Sequence, residues 1–179
     1  MSRPVGPEHG PAVVLCGPMG SGKTAVGAVL ARRWGVALRD TDHDIVEATG
    51  LTIPELFAER GESGFRDLEH RVVVQALVTH DGVLSLGGGA VAASRSALTD
   101  YVARGGHVVF LDVDVDTAMA RVHGDRGRPM LAEDPRGRWL ELMAERRPLY
   151  TEVATVRVRA DGRSLARLAS QIERRLGVA

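Results

Sequence analysis

The chain holds one cysteine, Cys16, and one lysine, Lys23, in 179 residues, and no apolar run approaches the length of a membrane span. A lone cysteine excludes an internal disulfide framework and fits a reducing compartment. The opening MSRPVGPEHGP places Pro and Gly where a signal peptide needs an apolar core. Charge of one sign is missing too: 23 Lys plus Arg balance 23 Asp plus Glu, so no global field draws the chain to nucleic acid or to an anionic membrane. The six histidines, His43 and His70 among them, show no metal-ligand spacing. The expectation is a soluble, cytoplasmic monomer without nucleic-acid or membrane partners.

What is present suffices for one sizeable core. At 44% hydrophobic residues, a single domain over residues 11–179 is expected, behind a loose tail at 1–10. Short β-branched runs alternate with helical patterns. AVVLC (12–16), VAL near Val36, GVLSL (82–86), HVVFLDV (107–113) and ATVRV (154–158) read as strands. Helices are expected over 23–34, 52–60, 65–79, 96–104, 116–123 and 164–176. Strands buried on both faces and separated by helices imply a parallel sheet in a three-layer α/β domain. Residues 124–138, GDRGRPMLAEDPRGR, form the one long irregular stretch. Three glycines, two prolines and four arginines leave it little apolar surface, which marks it as a lid or a surface loop.

GPMGSGKT (17–24) follows the first strand and opens the first helix, the context that makes this spacing a P-loop for a nucleoside triphosphate. Its glycines let backbone N–H groups turn inward around phosphate oxygens, and the helix N-terminus adds partial positive charge. Thr24 offers a hydroxyl to Mg²⁺, and Lys23 reaches the β- and γ-phosphates. The other 22 basic residues are arginines. A compact ammonium fits the phosphate nest, whereas a planar guanidinium is too large to fold back into it, which accounts for the lone lysine.

A P-loop leaves the phosphoryl acceptor open. RDTDHD (39–44) lies after the second strand, at the carboxyl edge where such sheets bind ligands. If the segment is extended, Asp40 and Asp42 point the same way and serve a metal and an acceptor hydroxyl. Asp112, ending an apolar strand, is a rival for the metal. Gly87, Gly88 and Gly89 end the third strand and let a ligand lie against bare backbone, or form only a tight turn.

In this order and at these intervals, GPMGSGKT, DTD, GFRDLE, LSLGGGAV, RGRPML and RRPLY resemble shikimate kinase, from about Ala12 to Leu176. The resemblance implies a nucleoside-monophosphate-kinase-like P-loop fold, with a five-stranded parallel sheet in order 2-3-1-4-5 and a mobile lid at 124–138. It implies transfer of the γ-phosphoryl of ATP to the 3-hydroxyl of shikimate, with Mg²⁺, in the route to aromatic amino acids. It makes Gly20, Ser21, Gly22, Lys23 and Thr24 the phosphate cradle, with Thr24 on the metal and Asp40 near it through water. Asp42 becomes the partner of the acceptor hydroxyls, Arg66 and Arg146 the clamp on the shikimate carboxylate, and Gly88 and Gly89 backbone contacts to the ring. Arg128 becomes the lid arginine that reaches ATP, while Arg121 and Arg163 flank the adenine. Arg126 and Arg147 compete with Arg128 and Arg146, and only the Arg-Pro pair and the alignment on PLY decide between them. Met19, Met130 and the N-terminal extension depart from the family pattern. A kinase of another hydroxylated acid, such as gluconate, and a nucleotide-binding module without chemistry are the alternatives.

Overall fold

In a computed structural model that describes residues 3–122 and 134–178, five strands form one parallel sheet. They are β1 (Val13–Cys16), β2 (Leu38–Asp40), β3 (Val83–Ser85), β4 (Val108–Asp112) and β5 (Val156–Arg159), in the order β2-β3-β1-β4-β5. This is the order the resemblance implies. The inner strands VVLC, VLS and VVFLD are buried throughout, whereas the edge strands LRD and VRVR carry arginines toward solvent. Interior strands covered on both faces take apolar residues, and charged side chains are tolerated at edges.

Helices α1 (Lys23–Trp34), α2 (Thr41–Thr49), α3 (Ile53–Thr79), α4 (Ala90–Ala93), α5 (Arg95–Ala103), α6 (Val115–Val122), α7 (Pro135–Val153) and α8 (Leu165–Arg175) complete the described residues. Parallel neighbours need crossovers, and the helices supply them. The α1 and α8 helices pack on each other, pinned by Glu173, which accepts from Arg33 Nη1 at 2.6 Å and from Trp34 Nε1 at 3.2 Å. The α3, α5 and α7 helices form a second group. The main core lies between them and the sheet, while Ile45, Leu56, Phe65 and Val72 make a small separate core joining α2 to α3.

Several elements differ from the sequence reading. The second strand sits two residues later than VAL suggests, so Asp40 is its last residue and Thr41 opens a helix. The extended Asp40–Asp42 segment is therefore corrected: Asp40 caps α2 and Asp42 stands in its first turn. The two helices expected over 52–60 and 65–79 run together, interrupted at Gly61 by a φ of 68°. The α7 helix is an element beyond those expected from the sequence, with Trp139, Leu142, Met143, Tyr150 and Val153 buried along it at helical spacing. Asp134 caps it by accepting from Gly137 N, and Pro135 starts it, so residues 135–138 of the expected irregular stretch are helical. Residues 124–133 of the expected lid, with Arg126 and Arg128, lie outside the described residues. Residues 3–10 are irregular, yet Pro4 is buried and Arg3 Nη1 donates to Asp81 O at 3.0 Å.

Candidate active site

The P-loop joins β1 to α1 as its spacing requires. Gly20 and Gly22 adopt φ values of 78° and 86°, a region that L side chains avoid, and a Cβ on Gly20 would fall 2.7 Å from the Ala118 carbonyl oxygen. Lys23 Nζ folds over the loop and donates to the carbonyls of Gly17 and Pro18 at 2.9 and 3.0 Å. Arg121 lies beside the cradle. Its Nη1 donates to Gly20 O at 3.0 Å and Ser21 O at 3.3 Å, while Nη2 donates to Ala160 O at 3.0 Å, tying α6 to the loop after β5. Arg163 is exposed in that same loop. Ser21 is fully buried, and its Oγ has no hydrogen-bond partner among the described residues.

A hydroxyl and carboxylate corner adjoins the cradle. Thr24 Oγ1 donates to Asp40 Oδ2 at 2.7 Å and lies 3.4 Å from Ser85 Oγ. Asp40 and Ser85 are register partners at the carboxyl ends of β2 and β3, so the sheet itself sets their spacing. The second oxygen of Asp40 caps α2, accepting from Asp42 N at 3.1 Å and His43 N at 3.4 Å. Oxygen donors of this kind suit a hard cation such as Mg²⁺, which takes one or two protein ligands and completes its shell with phosphate and water.

Across Met19 from the cradle, the glycine turn after β3 gathers the remaining candidates. A Cβ on Gly87 would strike Asp42 and lie 2.9 Å from Glu69 Oε1; one on Gly89 would strike the Arg66 guanidinium; one on Gly88 would touch Met19 and Arg146 Nη1 at 3.7 and 3.8 Å. Side chains larger than hydrogen would fill the space this cluster encloses. Gly87 N–H donates to Thr41 Oγ1 at 2.9 Å, and Tyr150 OH donates to Gly88 O. Arg66 stacks over Phe57 and Phe65 and gives its Nη1 to Glu69 at 2.6 Å. Burial pushes the Glu69 carboxyl above its usual range, with Asp42 acting in the same direction and the Arg66 and Arg146 guanidinium groups opposing it. Burial likewise raises Tyr150.

Asp112, the rival acid, takes no part in this cluster. It is 1% exposed, and both oxygens are held, one by Arg147 Nη1 at 2.7 Å and the other by Arg157 Nε at 3.0 Å. Adjacent arginines of α7 thus diverge, Arg147 toward β4 and Arg146 toward the glycine turn.

The sequence model of the family described as shikimate kinase matches residues 19–177. The chain belongs to the shikimate kinase family. A relative named shikimate kinase from Streptomyces avermitilis is 50% identical over 162 residues, covering 90% of this chain and 93% of its own. One from Rhodococcus jostii is 42% identical, covering 93% and 98%. The solved structure of shikimate kinase from Acinetobacter baumannii in complex with shikimate superposes with a TM-score of 0.83 at 36% identity, over 92% of this chain and 91% of that one. A gluconokinase from Sinorhizobium meliloti superposes at 0.67 with 20% identity, which is a likeness of fold alone.

In this family member the structure also brings to the site residues that the motifs alone do not single out. Thr41 lies inside DTD, Glu69 inside GFRDLE and Tyr150 inside RRPLY. Trp139 donates Nε1–H to Met19 O at 3.1 Å, fastening the start of α7 to the P-loop. For Thr41, Glu69 and Tyr150, membership of the motif strings is the available signal; the partners of Thr41, Tyr150 and Trp139 lie far along the chain, whereas that of Glu69 is Arg66 on the same helix.

Proposed function

We propose that this family member transfers the γ-phosphoryl of ATP to the 3-hydroxyl of shikimate, giving shikimate 3-phosphate and ADP. The observation that carries the reading is the pairing of two sites across Met19: a P-loop cradle on one side, and on the other Asp42, Glu69 and two arginines, Arg66 and Arg146, around bare glycine backbone, with Glu69 already engaged by Arg66. A small hydroxylated carboxylic acid is complementary to that set. Guanidinium forks bind a carboxylate in a fixed orientation, and glycine backbone accepts a ring face without steric conflict.

Phosphoryl transfer depends on positioning and charge stabilisation more than on covalent help. The inward N–H groups of Gly20, Ser21 and Gly22 would hold phosphate oxygens, and Lys23 would leave its loop carbonyls for them. Thr24, with Asp40 behind it, would hold Mg²⁺, which when bound offsets the negative charge of the phosphates. Asp42 would orient the acceptor hydroxyl and take its proton. Arg121 would border the nucleotide base, with Arg163 exposed nearby, and Arg128 would reach the phosphates from the RGRPML segment. A cytoplasmic monomer is the form we expect, which sedimentation of the purified protein tests.

ADP release coupled to a detectable reaction, with ATP and Mg²⁺ and either shikimate or gluconate, decides the reading. Shikimate should support turnover and gluconate should not. The Asp42→Asn variant should lose about two orders of magnitude in kcat, the loss expected for a group that both positions and accepts a proton. Preferential turnover of gluconate would overturn the assignment.

A further inference from the structure

The turn at Gly87, Gly88 and Gly89 has no side chains with which to anchor itself, and glycine loses more conformational freedom on ordering than any other residue. A Cβ on Gly87 would strike the Asp42 carboxylate, and one on Gly89 would displace the Arg66 guanidinium, so larger residues here would disturb the cluster. A turn of this kind can be fixed only through its own N–H and C=O groups. The first turns of α4 take two of them, Ala90 N–H donating to Gly87 O at 3.1 Å and Ala92 N–H to Gly89 O at 3.2 Å, and two side chains from other elements hold two more from different directions. Gly87 N–H donates to Thr41 Oγ1 at 2.9 Å, and Tyr150 OH donates to the Gly88 carbonyl.

The two partners are placed beside the proposed acceptor residues. Thr41 immediately precedes Asp42 in the first turn of α2. Tyr150 follows Arg146 by one helical turn of α7, so both lie on one face. Thr41 is 0% exposed and Tyr150 1%, so water cannot replace either bond without opening the structure. The helices are themselves pinned, α2 by its Asp40 cap and α7 by Trp139 on Met19 and Arg147 on Asp112.

We infer that Thr41 and Tyr150 are positioning residues for the acceptor: their hydrogen bonds hold the glycine backbone at a set distance from Asp42 and Arg146, so that three supports meet shikimate together. The inference rests on the reading proposed above. The Tyr150 ring has a separate packing role against Phe110, with centroids 5.1 Å apart, and that role survives loss of the hydroxyl.

Steady-state kinetics of Thr41→Val, Thr41→Ser and Tyr150→Phe test it. Thr41→Val and Tyr150→Phe should each raise KM for shikimate about five- to tenfold, with KM for ATP within about twofold of wild type, the effect of losing one buried hydrogen bond made in ground and transition states alike. Thr41→Ser, which keeps the acceptor oxygen, should return KM for shikimate to within about twofold of wild type. A purely structural role would lower kcat with the folded fraction and leave both KM values unchanged, and that result overturns the inference. So does a KM for ATP that rises as much as that for shikimate. Should Thr41→Val fail to fold, Tyr150→Phe decides alone. No turnover of shikimate by the wild type would overturn the functional reading and this inference with it; wild-type turnover with unaltered KM in the folded variants overturns this inference only.

Discussion

Thr24 donates its hydroxyl proton to Asp40 at 2.7 Å, so its oxygen lone pairs are turned away from the acid. Asp40 does two things at once, since its other oxygen caps α2. The orientation gives the hydroxyl a defined face for a cation and gives Asp40 the part of an outer partner, of the kind that tunes a metal ligand.

Asp40→Asn separates the two roles, because asparagine caps a helix as well as aspartate does but brings no charge. The Mg²⁺ concentration for half-maximal activity should rise about tenfold, the usual size of an outer-shell loss. The melting temperature should be unchanged. An unaltered Mg²⁺ dependence would leave Asp40 as a helix cap only.

Lys23 bridges two loop carbonyls with a single nitrogen, at 2.9 and 3.0 Å. A compact ammonium can donate to both from one point, whereas a planar guanidinium is too large to fold back onto the loop in the same way. Lys23→Arg should therefore lose nearly as much turnover as Lys23→Ala, each on the order of 10²-fold. Turnover in the arginine variant within about threefold of wild type would refute the argument from shape.

Much of this architecture was legible because local physics repeats itself along the chain. VVLC, VLS and VVFLD contain no charge but the terminal Asp112, which marks them as buried strands, whereas the second strand is displaced to LRD, whose Arg39 and Asp40 mask it at the sheet edge. The α7 helix hides behind Pro148 and a run of charge, although the burial of Trp139, Leu142 and Met143 follows helical spacing. Thr41 and Tyr150 were illegible for another reason. Their partners lie 46 and 62 residues away, and no periodicity expresses a bond from a helix to the turn of another crossover. Glu69 reads as a surface acid beside Arg66, and only the packed structure reveals it as 1% exposed.

Glu69 carries a pH signature. Burial raises its folded-state pKa above the ordinary 4.5, so the native protein binds that proton more tightly than the unfolded chain. Its contribution to stability is then fully present below pH 4.5 and is lost as pH rises through the raised value. Glu69→Gln should flatten that descending limb of melting temperature against pH. The same variant should raise KM for shikimate, because Arg66 loses the carboxylate that holds it at 2.6 Å. Parallel stability curves for wild type and variant would mean that Glu69 titrates as an exposed acid.

The two neighbouring arginines of α7 offer the sharpest contrast. Arg146 lies against Gly88 and interacts with Glu69 and Tyr150, whereas Arg147 is committed to Asp112. A substrate carboxylate is present in ground and transition states alike, so Arg146→Ala should act mainly on KM for shikimate, raising it about 10- to 100-fold, the worth of a charge-assisted hydrogen-bonded pair. Arg147→Ala removes one of two guanidinium groups from a carboxylate that is 1% exposed. Its cost should appear in unfolding, at about 1 to 2 kcal/mol, because Arg157 still holds the other oxygen and Arg147 itself is partly open to water. Its KM for shikimate should stay within about twofold of wild type. Asp112→Asn should resemble Arg147→Ala, with a lower melting temperature and near-normal turnover. If Arg147→Ala instead weakens shikimate and Arg146→Ala only destabilises, the carboxylate clamp lies one residue further along the helix, and Asp112 is then the partner that aims it.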